Sequence, residues 1–319
     1  PSNYPYVTDH PSLKGFYVDE PLNEEQMNDI AAMVKAAEPM GLTVIVNKMP
    51  WTDADSNRWF DTAFADCGDN LIVCATNYPL LTDGIRSDWL EINGLTAESA
   101  ATVSAPHWQF VATTGYGDRR QITESDIRWQ YYAALAYGAK GIGDFSYCTP
   151  SYGGEWNDPQ HAPIWWTDID DTSTYYRADT YYYLQAVNQE ISKFDHVLLS
   201  FDWQGVMTNV KNYFSDSGKA LRNATDVMNS HSRIKSLSSN KNLLIGCFKD
   251  ANEYDGFLLV NFDETQNNSA VNTVSITFNG AQTALAYVHG ERQIVALTNG
   301  VFTCDLAPGE AVFVIPVDG

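Results

Sequence analysis

The chain has 319 residues, 44% of them hydrophobic and 18% charged, enough for two soluble globular domains. Its formal net charge of −21, with no basic run to offset it, excludes nucleic acid and anionic membrane as partners, because like charges repel. The longest apolar runs, such as residues 71–75 and 257–260, fall far short of the ~20 residues of a membrane helix.

The polar opening Pro1-Ser2-Asn3-Tyr4-Pro5 shows no signal peptide, as in a mature secreted form, and an extracellular or periplasmic location is expected. From residue 15 to about 150, short apolar runs alternate with helical stretches. Strand-like runs cover residues 15–18, 42–47, 70–76, 107–112 and 141–147. Asn23 caps a helix with Gln26 in the capping-box position, and Met27, Ile30, Val34 and Ala37 form its apolar face. A second helix follows Thr123, with Asp126 in the same capping-box position and Gly138 as its stop.

A strand–helix repeat of this kind marks parallel βαβ units. A (β/α)₈ barrel averages about 31 residues per unit, so five strands amount to five-eighths of one. The alternative is an open doubly wound sheet, although no Gly-x-Gly-x-x-Gly turn follows any strand. Residues 1–200 are therefore assigned to a partial barrel carrying the catalytic-type site, with helix through 181–194. Residues 201–241, rich in Ser and Asn, read as a connector. Residues 242–319 alternate short strands with turns and read as a small antiparallel β-sandwich, with Asn279-Gly280 and Asn299-Gly300 as hairpin signals.

Five cysteines show no CxxC spacing; Cys67 with Cys74, or Cys247 with Cys304, could pair in an oxidising compartment. The sequons Asn223-Ala224-Thr225 and Asn267-Asn268-Ser269 carry little weight. Asp168, Asp170 and Asp171 lack calcium-loop spacing and read as a solvated turn, and no serine sits in a Gly-x-Ser-x-Gly elbow. Neither a metal nor a cofactor is called for.

The sharpest feature is Asp19-Glu20 before Pro21, two carboxylates ending an apolar strand ahead of a capped helix. Parallel α/β folds place ligands at the carboxyl ends of strands. Alternation along a strand should point Asp19 and Glu20 differently, one at the barrel mouth and one orienting it. A partly desolvated carboxylic acid there could protonate a leaving-group oxygen. The plainer reading is an acidic pair leading into a helix N-terminus.

The segment Gly15-Phe16-Tyr17-Val18-Asp19-Glu20-Pro21 resembles the fourth-strand Asn-Glu-Pro region of the retaining (β/α)₈ glycoside hydrolases, a clan that includes β-galactosidase-like enzymes. More closely, it is similar to uncharacterised bacterial members with Gly-(aromatic)-Tyr-x-x-Asp-Glu-Pro. Thr76-Asn77-Tyr78-Pro79, His107-Trp108-Gln109 and Ala136-Tyr137-Gly138-Ala139-Lys140-Gly141-Ile142 look like their sixth, seventh and eighth strands. The resemblance implies strands 4–8 of a (β/α)₈ barrel followed by a β domain, hydrolysis of an O-glycosyl bond in an oligo- or polysaccharide, and Glu20 as general acid/base. It also implies a preceding segment or a partner chain that completes the barrel.

Two departures follow. The clan's seventh-strand nucleophile has no counterpart in residues 107–113, where Gln109 cannot attack as a carboxylate does, and Asn77 replaces a sixth-strand aspartate. Asp144 is the candidate second carboxylate, or simply a strand-end aspartate bonding a loop amide. The alternative function is a catalytically inactive carbohydrate-binding protein. Aromatic platforms suit the apolar faces of sugars, and the candidates are Trp51, Tyr78, Trp108, Tyr147, Tyr152, Trp156, Trp165 and Trp166. Asn47, Asn77 and Gln109 could bond sugar hydroxyls.

Overall fold

The structure is a computed structural model and describes residues 11–148, 162–166, 175–209, 228–263 and 271–319. Tyr152, Trp156, the aspartates at 168, 170 and 171, and both sequons lie outside the described residues.

The first half alternates as its periodicity predicts. β1 (Gly15–Asp19) leads into α1 (Glu24–Ala37), β2 (Thr43–Lys48), α2 (Ala54–Phe64) and β3 (Leu71–Thr76). A small hairpin of β4 (Leu80–Leu81) and β5 (Gly84–Ile85) precedes α3 (Trp89–Thr102), β6 (His107–Ala112), α4 (Glu124–Ala136) and β7 (Gly141–Phe145). Asn23 caps α1 by accepting from the Gln26 amide at 3.0 Å, but the Gln26 side chain reaches back to the Leu22 N–H rather than to Asn23. The box at Thr123 and Asp126 closes in both directions, and Arg120 holds Asp126 through two 2.6 Å bonds. A charge-assisted, bidentate pair of this kind fixes the loop that enters α4.

Strands β1, β2, β3, β6 and β7 form one parallel sheet in chain order, without the order reversal that defines a doubly wound sheet. Right-handed crossovers in that order place every helix on one face, as in half a barrel. Val44, Val46, Leu71 and Val73 point to the helices and bury with Met27, Val34, Phe60 and Phe64. The alternate residues point to the other, inner face.

After β7, β8 (Ile164–Trp166) pairs with β9 (Tyr175–Arg177), followed by α5 (Asp179–Ile191) and α6 (Asp195–Leu198). The remaining strands are β10 (Phe201–Thr208), β11 (Ile234–Ser239), β12 (Leu243–Asp250), β13 (Asp255–Asn261), β14 (Asn272–Phe278), β15 (Ala281–Val288), β16 (Glu291–Ala296), β17 (Val301–Leu306) and β18 (Ala311–Asp318). They build a six-stranded sheet, β10-β12-β13-β18-β15-β16, and a three-stranded sheet, β11-β14-β17. Ile245, Phe257, Leu259 and Val314 meet Val274, Ile276 and Phe302 between them.

Two features differ from the expectation. The segment 201–241, read as a connector, contributes β10 and β11 to the two sheets. Register shifts between Trp203 and Gly205 and between Ile234 and Ser236 break the period of two that announces a strand. Asn279-Gly280 and Asn299-Gly300 reverse the chain with glycine φ of 76° each, yet both pass from one sheet to the other rather than closing a hairpin. The hairpin of β15 and β16 instead turns at His289-Gly290, with φ of 50° and 74°.

The two halves share a core. Trp89 and Trp129 stack at 4.4 Å, and Phe262 covers Trp129 at 4.8 Å. A Cβ on Gly246 would stand 2.6 Å from the Ala136 carbonyl, so β12 approaches α4 as only glycine allows. All five cysteines are free thiols. Among the described residues, no helix is long and apolar enough to cross a membrane.

Candidate functional site

Asp19 ends β1 on the inner face, two residues beyond Tyr17. Asn47, next to last on β2, and Thr76, the last residue of β3, stand on the neighbouring strands, the register pairing Asp19 with Asn47 and Asn47 with Cys74. Together with Glu20, the residue after Asp19, these make five side chains in one hydrogen-bonded chain. Tyr17 donates to Asp19 Oδ1 at 3.1 Å, and Asn47 Nδ2 donates to the same oxygen at 2.6 Å. Asn47 Nδ2 also donates to Thr76 Oγ1 at 3.2 Å, and Thr76 in turn donates to Glu20 Oε1 at 2.9 Å. Burial, then the neighbouring Cys74 and Asp19, raise the Tyr17 phenol above its ordinary range, which keeps it a proton donor at neutral pH.

Glu20 does not point away from Asp19. Its φ of 42° lies in the left-handed region, and its N–H bonds the Asn47 carbonyl at 2.9 Å. This turn after the last strand residue cancels the alternation, so both carboxylates line one cavity of about 370 Å³. Tyr17, Thr76, Tyr78, Phe110, Tyr116 and Phe145 complete its lining. Tyr78 stacks on Phe145 at 5.2 Å, and Tyr116 meets Phe145 edge-on at 6.1 Å. Arg119 lies 4.5 Å from the Tyr116 ring centre and 5.5 Å from that of Tyr78, a cation–π clamp on the aromatic wall. Burial foremost raises the Tyr78 phenol as well.

Trp108 shares the inner face, deeper than the cavity. Its ring crosses Gly141, where a Cβ would stand 2.5 Å away, and Phe110 crosses Gly143 in the same way. The two glycines of β7 thus make a seat for two aromatic side chains.

Other expected site residues lie elsewhere. Asp144 has the opposite parity to Phe145 and points to the helix side, where Tyr131 of α4 donates to it at 2.7 Å. Burial raises its carboxyl above the ordinary range, against the Tyr131 bond. Gln109 is buried on the helix side, bonded to the carbonyls of Ala75 and Phe110. Asn77 is buried and donates weakly to the Trp89 carbonyl at 3.5 Å. Trp51 packs against the cluster between β2 and the helices. Tyr147 is exposed, 6.4 Å from the Tyr181 ring. None of these five lines the cavity.

Sequence reasoning passed over Tyr17, Thr76, Phe110, Tyr116 and Phe145. Parity was the available signal for Tyr17, which is two residues from Asp19 and so on its face. Thr76 and Phe145 end strands as Asp19 does. Among the described residues, no three His, Cys, Asp or Glu side chains cluster as metal ligands.

No protein-family model matches the chain, and no curated protein matches it. Slight likeness to solved structures exists. A GH27 β-L-arabinopyranosidase from Geobacillus stearothermophilus is 12% identical with a TM-score of 0.41, over 92% of this chain and 61% of that one. An α-amylase from Anoxybacillus is 10% identical with a TM-score of 0.38, over 93% and 64%. α-Galactosidase I from Mortierella vinacea is 9% identical with a TM-score of 0.38, over 91% and 71%. The chain spans less than two thirds of the first two. Likeness this slight transfers no activity or residue role.

Proposed function

We propose that this chain supplies the acidic part of a carbohydrate-active barrel that cleaves an O-glycosidic bond, with Glu20 as general acid/base and Asp19 as its orienting partner. One observation carries the reading: two carboxylates share an aromatic-walled cavity at the carboxyl end of a parallel sheet and are tied together through Asn47 and Thr76. Sugar rings present apolar C–H faces to aromatic walls and hydroxyls to carboxylates, and the cavity offers both. Asp19 Oδ1 accepts two hydrogen bonds and is the more firmly held carboxylate. Glu20 accepts one hydrogen bond among the described residues, from the Thr76 hydroxyl, and is the freer of the two to exchange a proton with a glycosidic oxygen.

Tyr17 is about half exposed on the inner face, and Ile45, Ile72, Trp108 and Phe110 beside it are partly exposed. Parallel sheets bury both faces. This supports further strands closing the ring, from a preceding segment or a partner chain. The test is Glu20→Gln in the full-length protein against a panel of glycosides. Loss of general acid/base catalysis lowers the rate by about 10²- to 10⁴-fold. Unchanged hydrolysis removes Glu20 from the mechanism.

A second reading is a binder without turnover, and the position of Asp144 favours it. Retaining hydrolysis needs carboxyls about 5–5.5 Å apart, and inverting hydrolysis about 6.5–9.5 Å. With Asp144 and Gln109 on the helix side, the described residues offer the cavity no carboxylate from a second strand. Under this reading the full-length protein binds oligosaccharide, Tyr78→Ala abolishes binding, and no product forms.

A further inference from the structure

A second cavity, of about 490 Å³, is lined by Trp165, Arg177, Asp179, Thr180 and Tyr183 together with Gln121, Ile122, Thr123 and Ala178. We infer that it is a second carbohydrate-binding site, built for one neutral pyranose unit of a polysaccharide chain and separate from the Asp19–Glu20 cavity. This inference does not depend on Glu20 being a catalytic acid.

Four features carry it. Trp165 pairs with Tyr176 across the β8–β9 ladder and stacks on it at 4.6 Å, which fixes the indole plane as a seat. Arg177 is exposed and held 4.5 Å from the Tyr181 ring centre, so a cationic donor has a set position. Asp179, the exposed first residue of α5 in the same lining, is an acceptor. Thr180 is only 5% exposed and its hydroxyl has no hydrogen-bond partner among the described residues, which leaves a buried polar group for a ligand to satisfy.

The charges select the ligand class. An anion drawn to Arg177 would meet the Asp179 carboxylate, and a cation would meet the reverse conflict. A neutral ring bearing adjacent hydroxyls satisfies both, donating to Asp179 and accepting from Arg177 while its C–H face rests on Trp165. Exposed tyrosine rings stand on the adjoining elements, Tyr175 on β9, Tyr182 on α5 and Tyr147 with its ring centre 6.4 Å from that of Tyr181, and offer seats for neighbouring units, which points to a polymer rather than a free sugar. The site also lies at the correct end of the fold. Thr123 opens α4 and Asp179 opens α5, and helices in β/α units start where the strands end, on the side of the acidic cavity.

The test is affinity gel electrophoresis of the full chain carrying Glu20→Gln, so that turnover cannot erode the polymer. Gels contain soluble starch, xylan, glucomannan or galactan in turn, all chains of neutral pyranose units. The expected result is retardation in at least one gel, weakened at least about tenfold by the double substitution Arg177→Ala with Asp179→Ala, and likewise by Trp165→Ala. Both charged residues are exposed, so the double variant folds even if Trp165→Ala does not. Migration unaffected by every polymer, or a double variant retarded as strongly as its parent, overturns the inference. Hydrolysis by the unmodified chain is scored separately, so failure of binding here and failure of the Glu20 assignment are distinguishable.

Discussion

Asn47 donates to Asp19 Oδ1 at 2.6 Å across two adjacent strands, and the same amide nitrogen donates to Thr76 on a third. One buried side chain therefore sets the positions of both carboxylates, Asp19 directly and Glu20 through Thr76. Replacing it tests whether the acids act as a unit. Hydrogen bonds to charged groups are worth about 1.5–3 kcal/mol, so Asn47→Ala should lower kcat/KM on a cleaved glycoside by about 10- to 100-fold, mostly in kcat. Asn47→Asp keeps the shape but turns a donor into a carboxylate facing Asp19, and should do worse. Steady-state kinetics of the three proteins decide it, and activity that ranks Asn47→Asp with the parent would falsify the unit.

The left-handed backbone of Glu20 has its own signature. A residue with a Cβ at φ of 42° is strained by roughly 1 kcal/mol, and such outliers concentrate at functional sites. Glu20→Gly and Glu20→Ala both delete the carboxylate and its bond to Thr76, so their difference isolates the backbone. Glu20→Gly should be the more stable by about 1 kcal/mol, opposite to the order in an exposed helix. Urea midpoints at constant m measure this. Equal midpoints would place the strain elsewhere.

The fold was legible where one physical signal acts alone. Helix α1 follows from Asn23 and the spacing of Met27, Val34 and Ala37, and the five parallel strands follow from apolar runs near 30 residues apart. That Asp19 and Glu20 border a cavity was legible because clefts open at the carboxyl ends of the strands in parallel folds. What the sequence concealed depends on geometry between elements. Whether Asp144 or Phe145 faces inward is set by the register of β7 against β6, which pairs Ala112 with Phe145 and is not a local property. The alignment of Glu20 with Asp19 needed a backbone conformation that glutamate seldom adopts. Strand β11 was hidden because its residues Lys235, Ser236, Ser238 and Ser239 are polar and a register shift interrupts its alternation.

His107 should make the protein acid-sensitive. The ring is buried at the start of β6; burial pushes its pKa down to about 4, only partly opposed by the bond to the Tyr137 carbonyl at 3.3 Å. Its folded value lies below the ordinary 6.5, so between those limits the unfolded chain binds a proton that the folded chain refuses. Stability is present in full above about pH 6.5 and is lost as pH falls toward 4, with up to about 1.4 kcal/mol per pH unit from this one group. His107→Gln should flatten that part of the profile. The measurement is the difference in urea-unfolding free energy between parent and variant from pH 4 to 7, and a difference that stays constant across the window rules His107 out as the sensor.

The stack of Trp89, Trp129 and Phe262 tests whether the half-barrel and the antiparallel β-sheets fold as one body. Trp89 and Trp129 belong to α3 and α4 of the half-barrel, whereas Phe262 follows β13, and all three are at most 2% exposed. The same buried cluster continues through Leu184, Val187, Phe201, Phe248 and Phe313, so the two halves bury one cluster jointly, beside the smaller core that each holds by itself. Phe262→Ala should cost about 3–5 kcal/mol, the range for a fully buried aromatic whose neighbours collapse only in part. Cooperativity is the more telling readout. With one continuous core, tryptophan fluorescence and far-ultraviolet circular dichroism should give coincident urea transitions in the parent protein. In Phe262→Ala the fluorescence transition should move to lower urea and carry the dichroism with it. Fluorescence that shifts while the β-rich dichroism holds its midpoint would show two separately folding halves, and the shared core would then be a contact surface rather than a condition of folding.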